Sequence, residues 1–306
     1  MAMQGVAAAG QSGIAAQHNV QADFDAVALS WRTGSEIRGL DLRDAASISD
    51  NSIKRLRGLL AERGVLLFRD QHLDHDQHLD FTRRFGPLAE AGFISRNAPP
   101  GYPDLFTVTN MVLEGERSET WDSARQWHSD QSFLPVPATG SLLRCVRAPQ
   151  LGGDTMFANL FVAAERLSEG LRATLENLRC YHDLYNTNNR QRLRRKEFTP
   201  EEAKKWPGTW HPVLKPHPLT GEKALFVSEQ MIDRFEGWTI EESAPLLQYL
   251  VRYATQPAFT YRHHWRPGDL IFWDNHCTLH HAPPDYDVSA LDAPENVRLM
   301  YRSTLA

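Results

Sequence analysis

A chain of 306 residues, 42% of them hydrophobic and eight of them tryptophan, can bury a sizeable core and is read as one large folded unit with a short tail. A formal net charge of -5 offers no broad basic face, so neither nucleic acid nor an anionic membrane surface is an expected partner. Three cysteines without a CxxC pair, no apolar run of membrane-spanning length and an opening stretch without an export-signal pattern make the cytoplasm, with reduced thiols, the expected location.

Residues 1–25 are rich in Ala, Gly and Gln and poor in large apolar side chains, which predicts a disordered tail ahead of a single domain over 26–306. Residues 37–42 alternate as a half-buried strand. Ser49 or Asp50 then caps a helix whose stripe is Ile53, Leu56, Leu59 and Leu60, and Gly64 ends it. The run Val65-Leu66-Leu67-Phe68 reads as a buried strand. Asp74 caps a second helix, with Phe81 and Phe85 one turn apart, and Gly86-Pro87 stops it. Strands over 105–112 and 141–146 flank a loop carrying Trp127-His128-Ser129-Asp130, and the turn Gly152-Gly153-Asp154-Thr155 opens a strand over 155–158. Helices are expected after Asn159 and after Ser168. The polar stretch 186–208, with Arg190, Arg192, Arg194, Arg195 and Lys196 close together, suits a lid over a site better than a core element. Strands over 211–213 and 224–227 meet at a turn near Gly221, and Thr239-Ile240-Glu241-Glu242 has the form of a capping box. Strands over 259–265, 269–273 and 297–304 follow. Short strands with helices grouped between them predict a mainly β fold with flanking helices, two sheets face to face.

The chemistry concentrates at His128 and Asp130. On an extended backbone, residues i and i+2 share a face, so this pair can offer an imidazole nitrogen and a carboxylate oxygen to one metal. A third ligand has to come from elsewhere. His280 is a candidate, and spacing alone does not separate it from its neighbours His276 and His281. Two histidines and one carboxylate with the remaining positions open form the ligand set of non-haem Fe(II) oxygenases. The other histidines have blander readings. His72, His75 and His78 sit at a helix start among aspartates and read as a solvated face, while adjacent His263 and His264 point to opposite sides of a strand. His182, His211 and His217 are read as structural or lid-associated. Arg298 and Arg302 share a strand face but lie roughly 13 Å apart, which suits two anion clamps better than one.

Taken in order, His128-x-Asp130, Gly152-Gly153-Asp154-Thr155, Trp273-Asp274-Asn275 followed by His280, and Arg298-x-x-x-Arg302 resemble the taurine dioxygenase / 2,4-dichlorophenoxyacetate dioxygenase (TauD/TfdA) family of Fe(II)- and 2-oxoglutarate-dependent dioxygenases. Arg83-Arg84-Phe85-Gly86-Pro87 adds to the resemblance, which runs from about residue 37 to the C-terminus. It implies a double-stranded β-helix, or jelly roll, with Fe(II) held by His128, Asp130 and His280. It further implies that Thr155 and Arg298 hold the far carboxylate of 2-oxoglutarate, that Arg302 and Asn110 face the substrate, and that Ser95 and Arg96 lie on a substrate-facing segment. The implied reaction consumes dioxygen and 2-oxoglutarate, releases succinate and carbon dioxide, and hydroxylates an unactivated C–H bond of a small anionic substrate. A carboxylate such as an aryloxyalkanoate is favoured over an N-substituted amino acid, an alkylsulfonate or a sulfate ester. A jelly-roll binding protein without turnover and a zinc hydrolase on the same three ligands are the readings from other classes. A homo-oligomer is left open.

Overall fold

The computed structural model describes residues 23–89, 98–113, 116–117, 124–186, 200–285 and 293–306. The hairpin β1 (Asp25–Ala28) and β2 (Ser35–Arg38) leads into α1 (Asp50–Arg63), whose first turn is capped by the Ser49 hydroxyl and whose end is closed by Gly64 at φ 72°. Only a residue tolerant of the left-handed region can end the helix in that way. All four side chains of β3 (Val65–Phe68) are buried, as a strand covered on both faces requires. A capping box formed by Asp74 and Gln77 starts α2 (His75–Arg83).

Then come β4 (Phe106–Thr109), the small pair β5 (Val112–Leu113) and β6 (Glu116–Arg117), and the long β7 (Gly140–Arg147). After β8 (Thr155–Asn159), Asn159 and Ser168 cap α3 (Leu160–Glu165) and α4 (Glu169–Leu175). Next are β9 (Arg179–His182), α5 (Pro200–Lys205), β10 (Thr209–Pro212), β11 (Leu214–Pro216), β12 (Lys223–Leu225) and β13 (Ile232–Phe235). The Thr239–Glu242 capping box opens α6 (Ile240–Ala254), and the chain closes with β14 (Thr260–His263), β15 (Leu270–Asp274), β16 (Thr278–His281) and β17 (Leu299–Leu305).

Seven strands form one sheet in the order β1-β2-β3-β15-β7-β17-β4, so the first and last strands of the chain belong to the same layer. A second sheet, β14-β8-β16, faces it. Phe157 of this smaller sheet packs among Val65, Leu67, Leu143, Ile271, Trp273 and Met300 of the larger one, which makes the space between the sheets a dry core. The outer face of the large sheet carries α1 and α2 over Leu66, Phe68, Leu142, Leu270 and Phe272. Helices α3 and α6 cover the other side. The fold is a double-stranded β-helix flanked by helices. No helix among the described residues is long and apolar enough to cross a membrane.

Several local expectations shift. The strand expected over 37–42 is β2, three residues or so earlier, and β10 pairs with β9 and not with β12; the hairpin across the Gly221 turn is β11–β12. Strands β9 and β13, at four residues each, are too short for alternation to register in the sequence. The histidines of α2 do not form a solvated face. His78 is fully buried against Ser303 of β17, His75 is half-buried between Tyr102 and Tyr301, and His72 is exposed, because α2 lies across the outer face of the large sheet. His263 is buried on Asp269 while His264 points to solvent, as expected for neighbours on a strand. Tail residues 1–22, Ser95 and Arg96, and lid residues 187–199 lie outside the described residues.

Candidate metal centre

The centre begins with one β-bridge. His128 N–H donates to the His280 carbonyl at 3.1 Å, and His280 N–H donates to the His128 carbonyl at 2.8 Å. Residues that exchange both bonds are directly opposed, so their side chains leave the pair on the same side. The two rings accordingly lie 4.1 Å apart, centroid to centroid. Asp130 joins them two residues on, and Gln131 at φ 53° then turns the chain away. Asp130 Oδ1 is 3.9 Å from His128 Nε2 and 4.0 Å from His280 Nε2, and all three residues are buried. Of the three histidines that spacing left open, His280 is the one that stands beside His128 and Asp130. His276 turns to Lys215 Nζ at 3.0 Å, and the His281 ring packs on Trp127.

The protonation states suit a cation. His128 Nδ1 sits 2.8 Å from the Gln126 carbonyl, which takes that nitrogen's N–H and turns Nε2 towards Asp130. Burial first, and then the neighbouring His128, hold His280 well below the usual imidazole range and so neutral. Burial pushes the Asp130 carboxyl upward, but the Arg302 guanidinium, both imidazoles and the Ser141 hydroxyl outweigh it and bring it down to about 2. Two imidazoles and one carboxylate, converging within 4.8 Å of one another, fit a divalent first-row ion such as Fe(II).

Arg302 of β17 reaches into this centre: Nη1 donates to Asp130 Oδ1 at 2.7 Å, and the guanidinium lies over Phe106. Arg298, just ahead of the strand, points elsewhere. Its Nε donates to the Gly153 carbonyl at 3.2 Å, and it lines a cavity with Arg125, Gly153, Asp154 and Pro283. Thr155 lies one residue beyond that turn, buried, its hydroxyl accepting from Trp265 Nε1 at 2.9 Å. The turn itself demands glycine: a Cβ on Gly152, at φ +73°, would meet the Asp285 carbonyl oxygen at 2.1 Å.

Asn110 is buried beside the segment that leads into β17. Its Oδ1 accepts from Arg298 N–H at 2.9 Å and its Nδ2 donates to the Asn296 carbonyl at 2.7 Å, so its amide grips the backbone that carries Arg298. Arg125 was missed in the sequence, although it stands only three residues before His128. Ser141 was read there only as the start of a strand.

A second group of potential ligands, His217, Asp274 and Cys277, lies on the far side of Trp273-Asp274-Asn275. His217 Nε2 is 3.0 Å from Asp274 Oδ2, and its Nδ1 accepts from Leu219 and Thr220 N–H at 3.2 and 3.3 Å. Both ring nitrogens are committed, and burial pushes the Cys277 thiol up. This group pins the β11–β12 turn to the end of β15, and His217 has no lone pair left for an ion.

The family model for the "Taurine catabolism dioxygenase TauD, TfdA family" matches residues 25–304. The chain is 36% identical over 264 residues to the α-ketoglutarate-dependent 2,4-dichlorophenoxyacetate dioxygenase of Cupriavidus pinatubonensis, covering 83% of this chain and 90% of that one. It is 32% identical over 291 residues to the (S)-phenoxypropionate/α-ketoglutarate-dioxygenase of Sphingobium herbicidovorans, covering 92% and 95%. The crystal structure of AAD-2 in complex with Mn(II) and N-oxalylglycine matches with a TM-score of 0.76 at 29% identity, covering 92% of this chain and 97% of that one. With a jelly roll, a buried His-Asp-His cluster at one end of it and these relatives, the chain belongs to the TauD/TfdA family of 2-oxoglutarate-dependent non-haem iron dioxygenases.

Proposed function

We propose that this dioxygenase hydroxylates the carbon next to the carboxylate of an aryloxyalkanoate, with His128, Asp130 and His280 as iron ligands, Thr155 and Arg298 on the far carboxylate of 2-oxoglutarate, and Arg302 on the substrate carboxylate. The observation that carries the reading is the position of Arg302. Its guanidinium lies inside the metal centre, on Asp130, whereas Arg298 faces the Gly153 turn. Two guanidinium groups aimed at different places can hold two different anions, each through the planar fork that suits a carboxylate. A substrate gripped at the centre by its carboxylate presents the adjacent carbon there. In an aryloxyacetate that carbon also bears the ether oxygen. The names of the two aryloxy-acid relatives point to the same substrate class.

When bound, Fe(II) with 2-oxoglutarate and dioxygen supplies the oxidising power for breaking the C–H bond, with succinate and carbon dioxide as coproducts. The protein's residues set the conditions. His280 stays a neutral donor in a buried site, the Phe157 and Trp273 rings pack against it, and Arg302 orients the anion. Hydroxylation of an aryloxyacetate yields a hemiacetal, which breaks its C–O bond to give a phenol and glyoxylate.

A panel of aryloxyacetates, aryloxypropionates, alkylsulfonates, sulfate esters and N-acyl amino acids, read by succinate release with Fe(II), tests the proposal. An aryloxy acid should give the highest kcat/KM, with the phenol appearing in step with succinate. Higher kcat/KM for a sulfonate or an amino acid derivative would overturn the substrate assignment. No succinate from any of them, with 2-oxoglutarate still bound, would favour a binding protein.

A further inference from the structure

We propose that Trp273, Asn275 and Ser141 form a one-way hydrogen-bond relay that selects which oxygen of Asp130 is offered to the metal, an inference that rests on the ligand assignment above. The relay starts at a group that can only donate. The Trp273 indole N–H donates to Asn275 Oδ1 at 2.9 Å, and because an indole has no acceptor, the amide atom facing it has to be the oxygen. The Asp130 backbone N–H contacts the same oxygen at 3.3 Å. The NH2 of Asn275 therefore faces the other way and donates to Ser141 Oγ at 3.1 Å. With that lone pair taken, the single hydroxyl proton of Ser141 goes to its remaining neighbour, Asp130 Oδ2, at 2.8 Å.

Each link removes one freedom from the next. The indole fixes the amide, the amide fixes the hydroxyl, and the hydroxyl occupies Oδ2. Oδ1, which accepts from Arg302 Nη1 at 2.7 Å, is the oxygen that faces His128 Nε2 at 3.9 Å and His280 Nε2 at 4.0 Å. Trp273 is 1% exposed, Ser141 and Asn275 are fully buried and Asp130 is 5% exposed, so no solvent competes along the relay. Its three members come from the end of β15 and the start of β7, while the Ser129 hydroxyl donates to the Asn275 carbonyl and ties in the loop that carries the ligands. The functional result is a carboxylate that gives a single oxygen to the ion. A carboxylate free to give both would occupy a position that cosubstrate or dioxygen needs. Ser141 and Asn275 are thus positioning residues for the ligand and touch neither substrate nor cosubstrate.

The test uses Mn(II), whose binding is read directly from the loss of the free-ion EPR signal, without turnover. Ser141→Ala removes the proton donor at nearly constant shape and should weaken Mn(II) affinity about 10- to 100-fold, the range for loss of a group that orients a ligand. Asn275→Asp removes the amide donor and should do the same. Ser141→Thr restores a hydroxyl and should stay within about threefold of wild type. In the Mn(II)-loaded proteins, 2-oxoglutarate affinity should fall for Ser141→Ala and not for Ser141→Thr. Wild-type Mn(II) and 2-oxoglutarate affinities in a folded Ser141→Ala protein would overturn the relay while leaving the ligand assignment standing. A wild-type protein that binds no Mn(II) would overturn both. If Asn275→Asp does not fold, the two Ser141 variants decide alone.

Discussion

Arg302→Ala separates the two anion clamps most directly. The Arg302 side chain is 12% exposed, its Nη1 donates to Asp130 Oδ1 at 2.7 Å, and its guanidinium lies 5.1 Å from the Phe106 ring centroid. In a site so poor in water, a charge-assisted bond from guanidinium to a substrate carboxylate is worth about 3 kcal/mol. At about 1.4 kcal/mol per factor of ten, its loss should raise the KM for an aryloxy acid about 100-fold. The KM for 2-oxoglutarate should stay within about threefold, because Arg298 is turned to the Gly153 carbonyl on the other side of the site. Arg302→Lys keeps the charge but loses the planar fork, and should fall between the two, at about tenfold. Steady-state succinate release, with each substrate varied in turn and thermal unfolding as a folding control, measures both constants. A rise in the 2-oxoglutarate KM with the substrate KM unmoved would show that the clamps had been exchanged. No change in either would remove Arg302 from the binding site.

Arg298→Ala should show the mirror image, a 2-oxoglutarate KM raised about 100-fold by the same arithmetic with substrate KM little changed, and equal shifts in both would count against separate clamps. Asp130→Ala removes the only carboxylate of the three-residue cluster, so equilibrium dialysis should find Mn(II) retention lost, and full retention would exclude Asp130 as a ligand. Gly64→Ala puts a Cβ at φ +72° and 2.6 Å from Thr278 Cγ2; about 2 kcal/mol of strain should lower Tm by about 5 °C in calorimetry, and an unchanged Tm would contradict the close approach. His78 is pushed down to about 3, by burial first and by Arg144 second, so the unfolded chain takes up its proton before the folded one. Stability that is fully present above pH 6.5 is therefore lost as pH falls, by about 2 kcal/mol between pH 6.5 and 5. Denaturant unfolding of His78→Gln should be flatter in that window by one proton, and parallel slopes would refute the neutral buried state.

How much of this was readable before folding depends on the range of the interaction involved. The caps at Ser49, Asp74, Asn159, Ser168 and Thr239 lie within three residues of the N–H groups they satisfy; Asp74 and Thr239 stand where the residue pattern put them, helices follow Asn159 and Ser168 as expected, and Ser49 takes the place the pattern left open between it and Asp50. The stop at Gly64 and the buried run of β3 are equally local. The spacing of His128 and Asp130 and the order of the downstream motifs were enough to name the family, since its chemistry needs those residue types in any arrangement. His78 shows where local reasoning fails. Aspartates around it suggested a wet face, and a sheet more than two hundred residues away in the chain covers it instead.

The sequence by itself thus determined the helix starts, the buried run of β3 and the type of metal centre. Tertiary structure alone decided which of three histidines stands opposite His128, that Asn110 serves the backbone of Arg298, that Arg302 enters the centre while Arg298 faces the Gly153 turn, and that Ser141 touches Asp130 at all. Each of these depends on strand register, and in a sheet a shift of one residue sends a side chain to the opposite face. Register is set by packing between the two sheets, among Phe157, Trp273, Ile271 and Met300, which no stretch of the chain carries alone.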